Sequence, residues 1–169
     1  MSKKVLMVVA PDGFRDAEYL DPRQVLEAAG AEIKVASLVT GESRGVEGTV
    51  AKIDLTVDQV KVEDFDAVIF VGGPGMVGLV GDKRLMTLAK AFYQAGKLTT
   101  GICAATGILA NANLLTDKKA TGWAGVQQII SSHGGSYTGQ DVEMDGKIIT
   151  GKGPGAAKAF GQKIAGSLK

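Results

Sequence analysis

The only cysteine of the chain, Cys103, lies where the sequence pattern changes from strand to helix. Residues 98–102 are typical of a short buried strand, and residues 104–110 are typical of a helix packed closely on a sheet. A thiol at such a turn faces the carboxyl edge of the sheet, where open α/β sheets bind their ligands. The free N–H groups at the helix start are expected to lower its pKa. The position favours a reactive cysteine, and the alternative is a small buried core residue.

Glu18 is the acid that the same edge can bring to Cys103. Residues 5–10 form a continuous apolar run, the pattern of a parallel strand buried on both faces. Residues 15–29 have helical spacing, and Pro22 within them predicts a kink or a helix whose main body starts near Pro22. Glu18 then lies on the first turn or loop after the first strand. Since the carboxyl ends of parallel strands share one edge, Glu18 and Cys103 are predicted to meet.

A glycine turn, Gly72-Gly73-Pro74-Gly75, follows a third apolar strand pattern at residues 67–71. Such a turn can cradle an anion or shape an oxyanion site, and its alternative use is a tight strand-to-loop turn. It is not a phosphate loop, because no Gly-Lys-Ser or Gly-Lys-Thr follows at the required spacing.

The remaining segments complete an α/β pattern. Asp16 is a plausible cap for the first helix, and Gly30 its stop. Strands are predicted at 32–38, at 118–121 and in a hairpin, 140–144 and 147–150, that turns at Asp145-Gly146, with an edge or hairpin strand at 48–54 after a loop at 41–48. Helices are predicted at 82–95, 104–110 and 125–132 and from 151–155 to 164. Alternating strands and helices predict a three-layer α/β/α sandwich with a mostly parallel sheet.

Length and composition limit the classes of function. A chain of 169 residues that is 45% hydrophobic is expected to form one domain, residues 1–169. The formal charge is +1, with acidic and basic residues interspersed, so we expect no nucleic acid or membrane partner. One cysteine cannot form an internal disulfide, and we expect a reduced, cytoplasmic protein. A single histidine cannot supply a cluster of imidazole ligands, so no metal is expected.

Two other side chains invite functional interpretations. Trp123 lies on a loop between a short strand and a helix, where its indole can wall a pocket or serve as core or rim. His133 precedes Gly134-Gly135 at the end of a predicted helix. We interpret His133 as a cap or surface residue rather than a catalytic base.

The chain resembles the PfpI-type intracellular proteases and their parkinsonism-associated (DJ-1) relatives, within the class I glutamine amidotransferase-like superfamily, over essentially its full length. Four segments carry the resemblance: Phe14-Arg15-Asp16-Ala17-Glu18, the glycine turn at 72–75, Gly101-Ile102-Cys103-Ala104, and residues 145–155. The resemblance implies a flavodoxin-like fold with a nucleophile elbow. It also implies that Cys103 is the reactive residue and that Glu18 hydrogen-bonds to it.

The resemblance further implies a cofactor-independent protein that forms homodimers or higher homo-oligomers. Gly73, Gly75, Ala104 and Trp123 are the neighbours expected around the sulfur. Because Pro74 has no N–H, Gly73 or Gly75 would donate to an oxyanion together with Ala104. Protease-like members have histidine after the cysteine, where this chain has Ala104. The parkinsonism-associated branch has a pocket histidine where this chain has Gly122-Trp123, so a Cys-His peptidase mechanism has no evident base.

Three functions remain open. The first is a glyoxalase or deglycase that acts on a small reactive dicarbonyl or a glycated protein through Cys103 and Glu18. The second is a non-catalytic, stress-responsive sensor or chaperone-like dimer, in which Cys103 is oxidised to a sulfinate held by Glu18. The third, an intracellular cysteine peptidase or other hydrolase, is weaker for want of a histidine.

Overall fold

Residues 2–168 are described here by a computed structural model, and they form eleven strands and six α-helices. The strands are β1 (Lys4–Val8), β2 (Glu32–Ser37), β3 (Glu42–Arg44), β4 (Val50–Lys52), β5 (Leu55–Thr56), β6 (Ala67–Phe70), β7 (Leu98–Ile102), β8 (Lys119–Ala120), β9 (Ser136–Tyr137), β10 (Val142–Asp145) and β11 (Ile148–Gly151). The helices are α1 (Asp16–Ala28), α2 (Pro74–Val77), α3 (Lys83–Gln94), α4 (Thr106–Asn111), α5 (Gln127–Ser132) and α6 (Ala157–Ser167).

Seven strands form the central sheet, in the order β10-β11-β7-β6-β1-β2-β5. All neighbours pair in parallel except β10 with β11. Strands β1, β6 and β7 are adjacent, so the segments that follow their carboxyl ends meet at one edge. Those three segments carry Glu18, Gly72 and Cys103, and the sheet order therefore brings these residues to one place.

The first strand shows why both faces of the sheet are covered. Val5 and Met7 pack among side chains of α1 and α6, whereas Leu6 and Val8 pack among side chains of α3 and α4. All four are inaccessible to solvent. Alternate residues of one apolar run thus enter two separate cores, which confirms the buried parallel strand and the three-layer α/β/α sandwich.

Helix α1 occupies nearly all of residues 15–29, the segment predicted to be helical. It starts at Asp16 and includes Pro22, so the expectation that its main body starts near Pro22 is wrong. Pro22 cannot donate to the carbonyl of Glu18, four residues earlier. The helix persists because it packs closely on α6: a Cβ built on Gly161 would lie 2.7 Å from the Cα of Pro22. This contact fixes the first turn of α1, which carries Glu18.

Asp16 does not cap α1, which is a second correction. The cap position is Arg15, and the carboxylate of Asp16 accepts hydrogen bonds from the N–H groups of Glu47 and Thr49, each at 2.9 Å. Asp16 is only 3% exposed. Burial raises its pKa, but the hydrogen bonds from Thr49 and Glu47 outweigh burial and leave the pKa lowered. An ionised carboxylate therefore ties the loop at 45–49 to the start of α1.

The loop predicted at 41–48 contains a strand. Residues of β3 pair antiparallel with β4, so the predicted edge or hairpin strand is the second arm of a hairpin.

Smaller differences occur elsewhere. The C-terminal hairpin turns at Gly146 and Lys147, one residue later than predicted, and the helix predicted from residue 104 begins with a 3-10 turn, Cys103–Ala105. None of the helices within residues 2–168 has the length and apolar character needed to span a bilayer.

We predict that Asp16→Asn destabilises the protein by about 1–3 kcal/mol, because a buried charge-assisted acceptor is lost. The measurement is urea unfolding at pH 7. Asp21→Asn, on the same helix but without a side-chain hydrogen bond among the described residues, is the matched control and should change stability by less than about 0.5 kcal/mol. Equal effects of the two substitutions would contradict the tie between α1 and the hairpin.

Candidate active site

Cys103 occupies the turn between β7 and α4, as predicted. It is the first residue of the 3-10 turn, and its φ of 59° lies in the left-handed region that residues other than glycine rarely adopt. Cys103 is partly exposed. Cys103 is therefore not a fully buried core residue, although it packs against the core.

Glu18 lies on the first turn of α1 and has no exposed surface. Neither of its carboxyl oxygens has a hydrogen-bond partner of ordinary geometry within the described residues. A buried carboxyl without such a partner is unusual, because loss of hydration is normally compensated. Glu18 therefore differs from the buried Asp16, whose carboxylate accepts two backbone hydrogen bonds.

Gly72 separates Glu18 from Cys103. A Cβ built on Gly72 would lie 2.5 Å from Oε1 of Glu18 and 2.8 Å from Cβ of Cys103, and 2.6 Å from the carbonyl oxygen of Ile102. The two functional side chains thus approach the same point, and only a residue without a side chain fits between them. Their predicted meeting is what the structure shows. Gly72 was not among the predicted site residues, and its position directly after the β6 strand pattern was the signal that could have identified it.

The environment of Glu18 favours its protonated form. Burial raises the pKa of Glu18 from its ordinary value of 4.5 to about 7. The Cys103 thiol, the charge of Arg15 and the N–H of Gly72 lower this pKa, but their combined effect is smaller. The Glu18 carboxyl is therefore protonated and uncharged below about pH 7, and near pH 7 it can gain or lose a proton.

The pKa of Cys103 differs from the sequence prediction. Burial, followed by the negative charge of Glu18, raises the pKa of Cys103 to about 12. The N–H of Ala104 at the start of the turn does lower this pKa, as expected, but by less than burial raises it. The resting group is consequently a thiol, and Glu18 loses its proton first as the pH rises.

The glycine turn supplies one candidate oxyanion donor rather than two. The N–H of Gly75 donates to the carbonyl of Gly13 at 3.0 Å, so the expectation that Gly75 could serve an oxyanion is corrected. No main-chain hydrogen bond among residues 2–168 uses the N–H of Gly73. Gly73 has a φ of 122°, and a Cβ there would lie 2.3 Å from the backbone N of Arg15. The positive φ and the close approach of the Arg15 backbone both require glycine at position 73.

Trp123 lies on a loop, and His133 lies at the end of a helix. The Trp123 side chain is 43% exposed, so it is not core, and its indole lies over Gly125. The preceding Gly122 packs against the carbonyl oxygen of Cys103, which brings the loop to the backbone of the turn. Nδ1 of His133 lies 2.9 Å from the carbonyl of Ile129 at the end of α5, which confirms the cap interpretation.

Comparison with known proteins agrees with this geometry. The model of the DJ-1/PfpI family matches residues 3–167. The chain belongs to the DJ-1/PfpI family. A putative cysteine protease, YraA, of Bacillus subtilis is 32% identical and covers all of both chains, and a deglycase of Pyrococcus horikoshii is 29% identical over 98% of this chain and 99% of its own. The crystal structure of a ThiJ/PfpI domain protein from Brachyspira murdochii superposes with a TM-score of 0.96 at 32% identity, covering 99% of this chain and 96% of that one.

Membership in the DJ-1/PfpI family confirms the resemblance seen in the sequence and the flavodoxin-like fold that it implied. Within residues 2–168, no three or more His, Cys, Asp or Glu side chains are grouped so that they could hold a metal ion. The groups that meet at the site are the thiol, the carboxyl and backbone N–H groups.

We predict that Gly72→Ala destabilises this DJ-1/PfpI protein by about 1–3 kcal/mol, because the added methyl overlaps a carbonyl oxygen and both functional side chains. Urea unfolding measures the effect. Gly78→Ala places the same methyl in open space and should be neutral to within about 0.5 kcal/mol. A neutral Gly72→Ala would show that the two side chains do not crowd this point.

We further predict that Glu18→Gln changes how stability depends on pH. A carboxyl whose pKa rises from 4.5 unfolded to about 7 folded binds its proton more tightly in the folded state. Its contribution is complete below pH 4.5 and is lost as the pH rises through 7, a decrease of about 3 kcal/mol. The free energy of unfolding of Glu18→Gln relative to the natural protein should therefore increase by that amount over this interval.

Chemical denaturation at a series of pH values measures this difference. Glu27→Gln, which replaces an exposed carboxyl on α1, is the control and should follow the natural protein at every pH. A difference between Glu18→Gln and the natural protein that does not vary with pH would contradict the raised pKa.

Proposed function

We propose that this protein is a cysteine-dependent enzyme of the glyoxalase or deglycase type, which acts on α-oxo aldehydes or on their early adducts with amines. Cys103 is the nucleophile and Glu18 carries the protons. The observation that supports this most strongly is the fully buried carboxyl, with a pKa of about 7, beside a partly exposed thiol. A group with that pKa is suited to both giving and taking a proton at neutral pH.

The first step follows from the thiol state of Cys103. Because burial keeps its pKa high, attack requires a base, and the ionised carboxylate of Glu18 is in place to act as one. Sulfur adds to the aldehyde carbon while the S–H proton passes to Glu18. Glu18 then returns the proton to the former carbonyl oxygen, which gives a neutral hemithioacetal. The free N–H of Gly73 is the candidate donor to that oxygen during the addition.

The second step is an internal oxidation and reduction. Glu18 removes the proton from the aldehyde-derived carbon and delivers it to the ketone oxygen, which gives an enediol. Glu18 then takes the hydroxyl proton from the oxygen of the first carbon and delivers it to the second carbon. The first carbon is thereby oxidised to a thioester and the second is reduced to an alcohol, so no external oxidant takes part. Water hydrolyses the thioester, releases a 2-hydroxy acid and restores the thiol. Methylglyoxal would yield lactate by this route.

The names of two relatives support an enzymatic function. The deglycase of Pyrococcus horikoshii and the putative cysteine protease of Bacillus subtilis both bear names that denote enzymes. A peptidase mechanism receives less support in this chain, because Ala104 follows the cysteine and the only histidine caps α5. An oxidation sensor also receives less support, because peroxide reacts with thiolates and the pKa of Cys103 is raised.

We predict that the purified protein forms lactate from methylglyoxal and that kcat/KM rises with pH through about 7 as Glu18 ionises. Cys103→Ser should abolish product formation. Glu18→Gln should lower kcat/KM by roughly 10²–10⁴-fold and remove the dependence near pH 7. Enzymatic assay of lactate measures these rates, with Glu27→Gln as the control that retains them. Lactate formation no greater than that of Cys103→Ser would exclude the proposed reaction.

A further inference from the structure

Arg15 is held by its backbone against both parts of the candidate site. Its N–H donates to the carbonyl of Gly72 at 3.0 Å, and its own carbonyl accepts from the N–H of Glu18 at 3.1 Å. Arg15 stands at the cap position of α1, three residues before Glu18, so the two side chains leave neighbouring positions of the first turn. These two bonds hold the main chain of Arg15 beside Gly72 and the first turn of α1, next to the segments that carry the carboxyl and the thiol.

The charge of Arg15 has no partner in the described part of the chain. Arg23 pairs with Glu27 and Arg84 pairs with Asp82, but no ion pair or side-chain hydrogen bond among residues 2–168 involves Arg15.

The adjacent carboxylate of Asp16 does not serve as its partner. That carboxylate is directed to the hairpin loop, where the N–H groups of Glu47 and Thr49 satisfy it. Arg15 is partly buried, which strengthens its field relative to a fully hydrated cation.

The field of Arg15 reaches both reacting groups. Its positive charge lowers the pKa of Glu18 and also the pKa of Cys103. Arg15 is the basic residue among the largest contributions to the pKa of each group. A substrate bound at the sulfur thus lies within the field of a positive charge that forms no ion pair among residues 2–168.

We propose that Arg15 binds a carboxylate of the substrate and so directs the site toward α-oxo aldehydes that carry an acid group. A guanidinium presents two parallel N–H donors that match the oxygens of a carboxylate. The aldehyde end of such a molecule reacts at Cys103 while its acid end is held by Arg15. The reaction class rests on the proposed function, whereas the preference for anions at the thiol does not.

Alkylation of the single thiol tests the preference without any turnover. Iodoacetate and iodoacetamide have nearly the same shape and differ in charge, and each forms a bond from sulfur to carbon as iodide leaves. The ratio of their rate constants at Cys103, divided by the same ratio for glutathione, reports the local preference for an anion. We expect Arg15→Gln to lower this normalised ratio roughly tenfold.

Two further variants make the alkylation result specific. Arg15→Lys retains the charge and should retain most of the ratio. Arg84→Gln removes a positive charge far from Cys103 in sequence and paired to Asp82, and it should leave the ratio unchanged. An equal ratio in Arg15→Gln and Arg84→Gln would overturn the proposal.

Turnover gives the second measurement. The anionic substrate 4,5-dioxopentanoate and its neutral amide are compared by kcat/KM. Removing the charge of Arg15 alters Glu18 and Cys103 for both substrates, so the loss in Arg15→Gln should be roughly tenfold or more greater for the acid than for the amide. Equal losses for the two substrates would overturn the proposal. If the natural protein converts neither compound nor methylglyoxal, the proposed function fails, and the alkylation ratio alone then decides the role of Arg15.

Discussion

The carboxyl of Glu18 has no exposed surface, and this burial is the constraint on which the rest of the site depends. An ionised carboxylate in such a place would have a large cost in free energy, so the group remains protonated until about neutral pH. The fold supports this arrangement from three sides. The sheet order puts three strand ends together, α6 fixes α1 through Pro22, and Gly72 leaves the space in which the carboxyl and the cysteine meet.

The same constraint sets the order of ionisation in the pair. Each group is buried, and the charge of Glu18 raises the pKa of Cys103 further, so the carboxyl ionises first and the thiol stays protonated. A site of this kind has little resting thiolate and depends on transferring the thiol proton during attack. The thiol then reacts with molecules that bind at the site and are attacked by the sulfur while the thiol proton is transferred. A positive charge at Arg15 favours anionic partners in that event.

The sequence predicted the relations that follow from strand order. Cys103 after one strand and Glu18 after another were expected to meet, and they do, because periodicity and chain order determine which edge each residue occupies. The hydrogen bonds of the loops were not predictable in this way. Asp16 is a residue type that often caps helices, yet it lies one residue after the cap position, and its carboxylate accepts hydrogen bonds from the loop of the β3–β4 hairpin. The N–H of Gly75 is likewise occupied by a carbonyl that no local pattern identifies.

The pKa of Cys103 was predicted with the wrong sign for a related reason. The N–H of Ala104 was visible as a local feature of a helix start, whereas the extent of burial depends on segments distant in sequence. Gly72 was missed although its position directly after a strand pattern was visible, because that position alone does not show what approaches it. The approach of two side chains, from α1 and from the turn after β7, shows why a hydrogen atom is all that fits there.

The backbone at Cys103 has a consequence for the evolution of the turn. At a φ of 59°, glycine would adopt the same conformation with no steric penalty, and any other residue reduces stability by about 1 kcal/mol. A lineage under selection for stability alone would therefore tend to lose the side chain at this corner. A cysteine at this position therefore leaves the folded protein slightly less stable than it would be with glycine there.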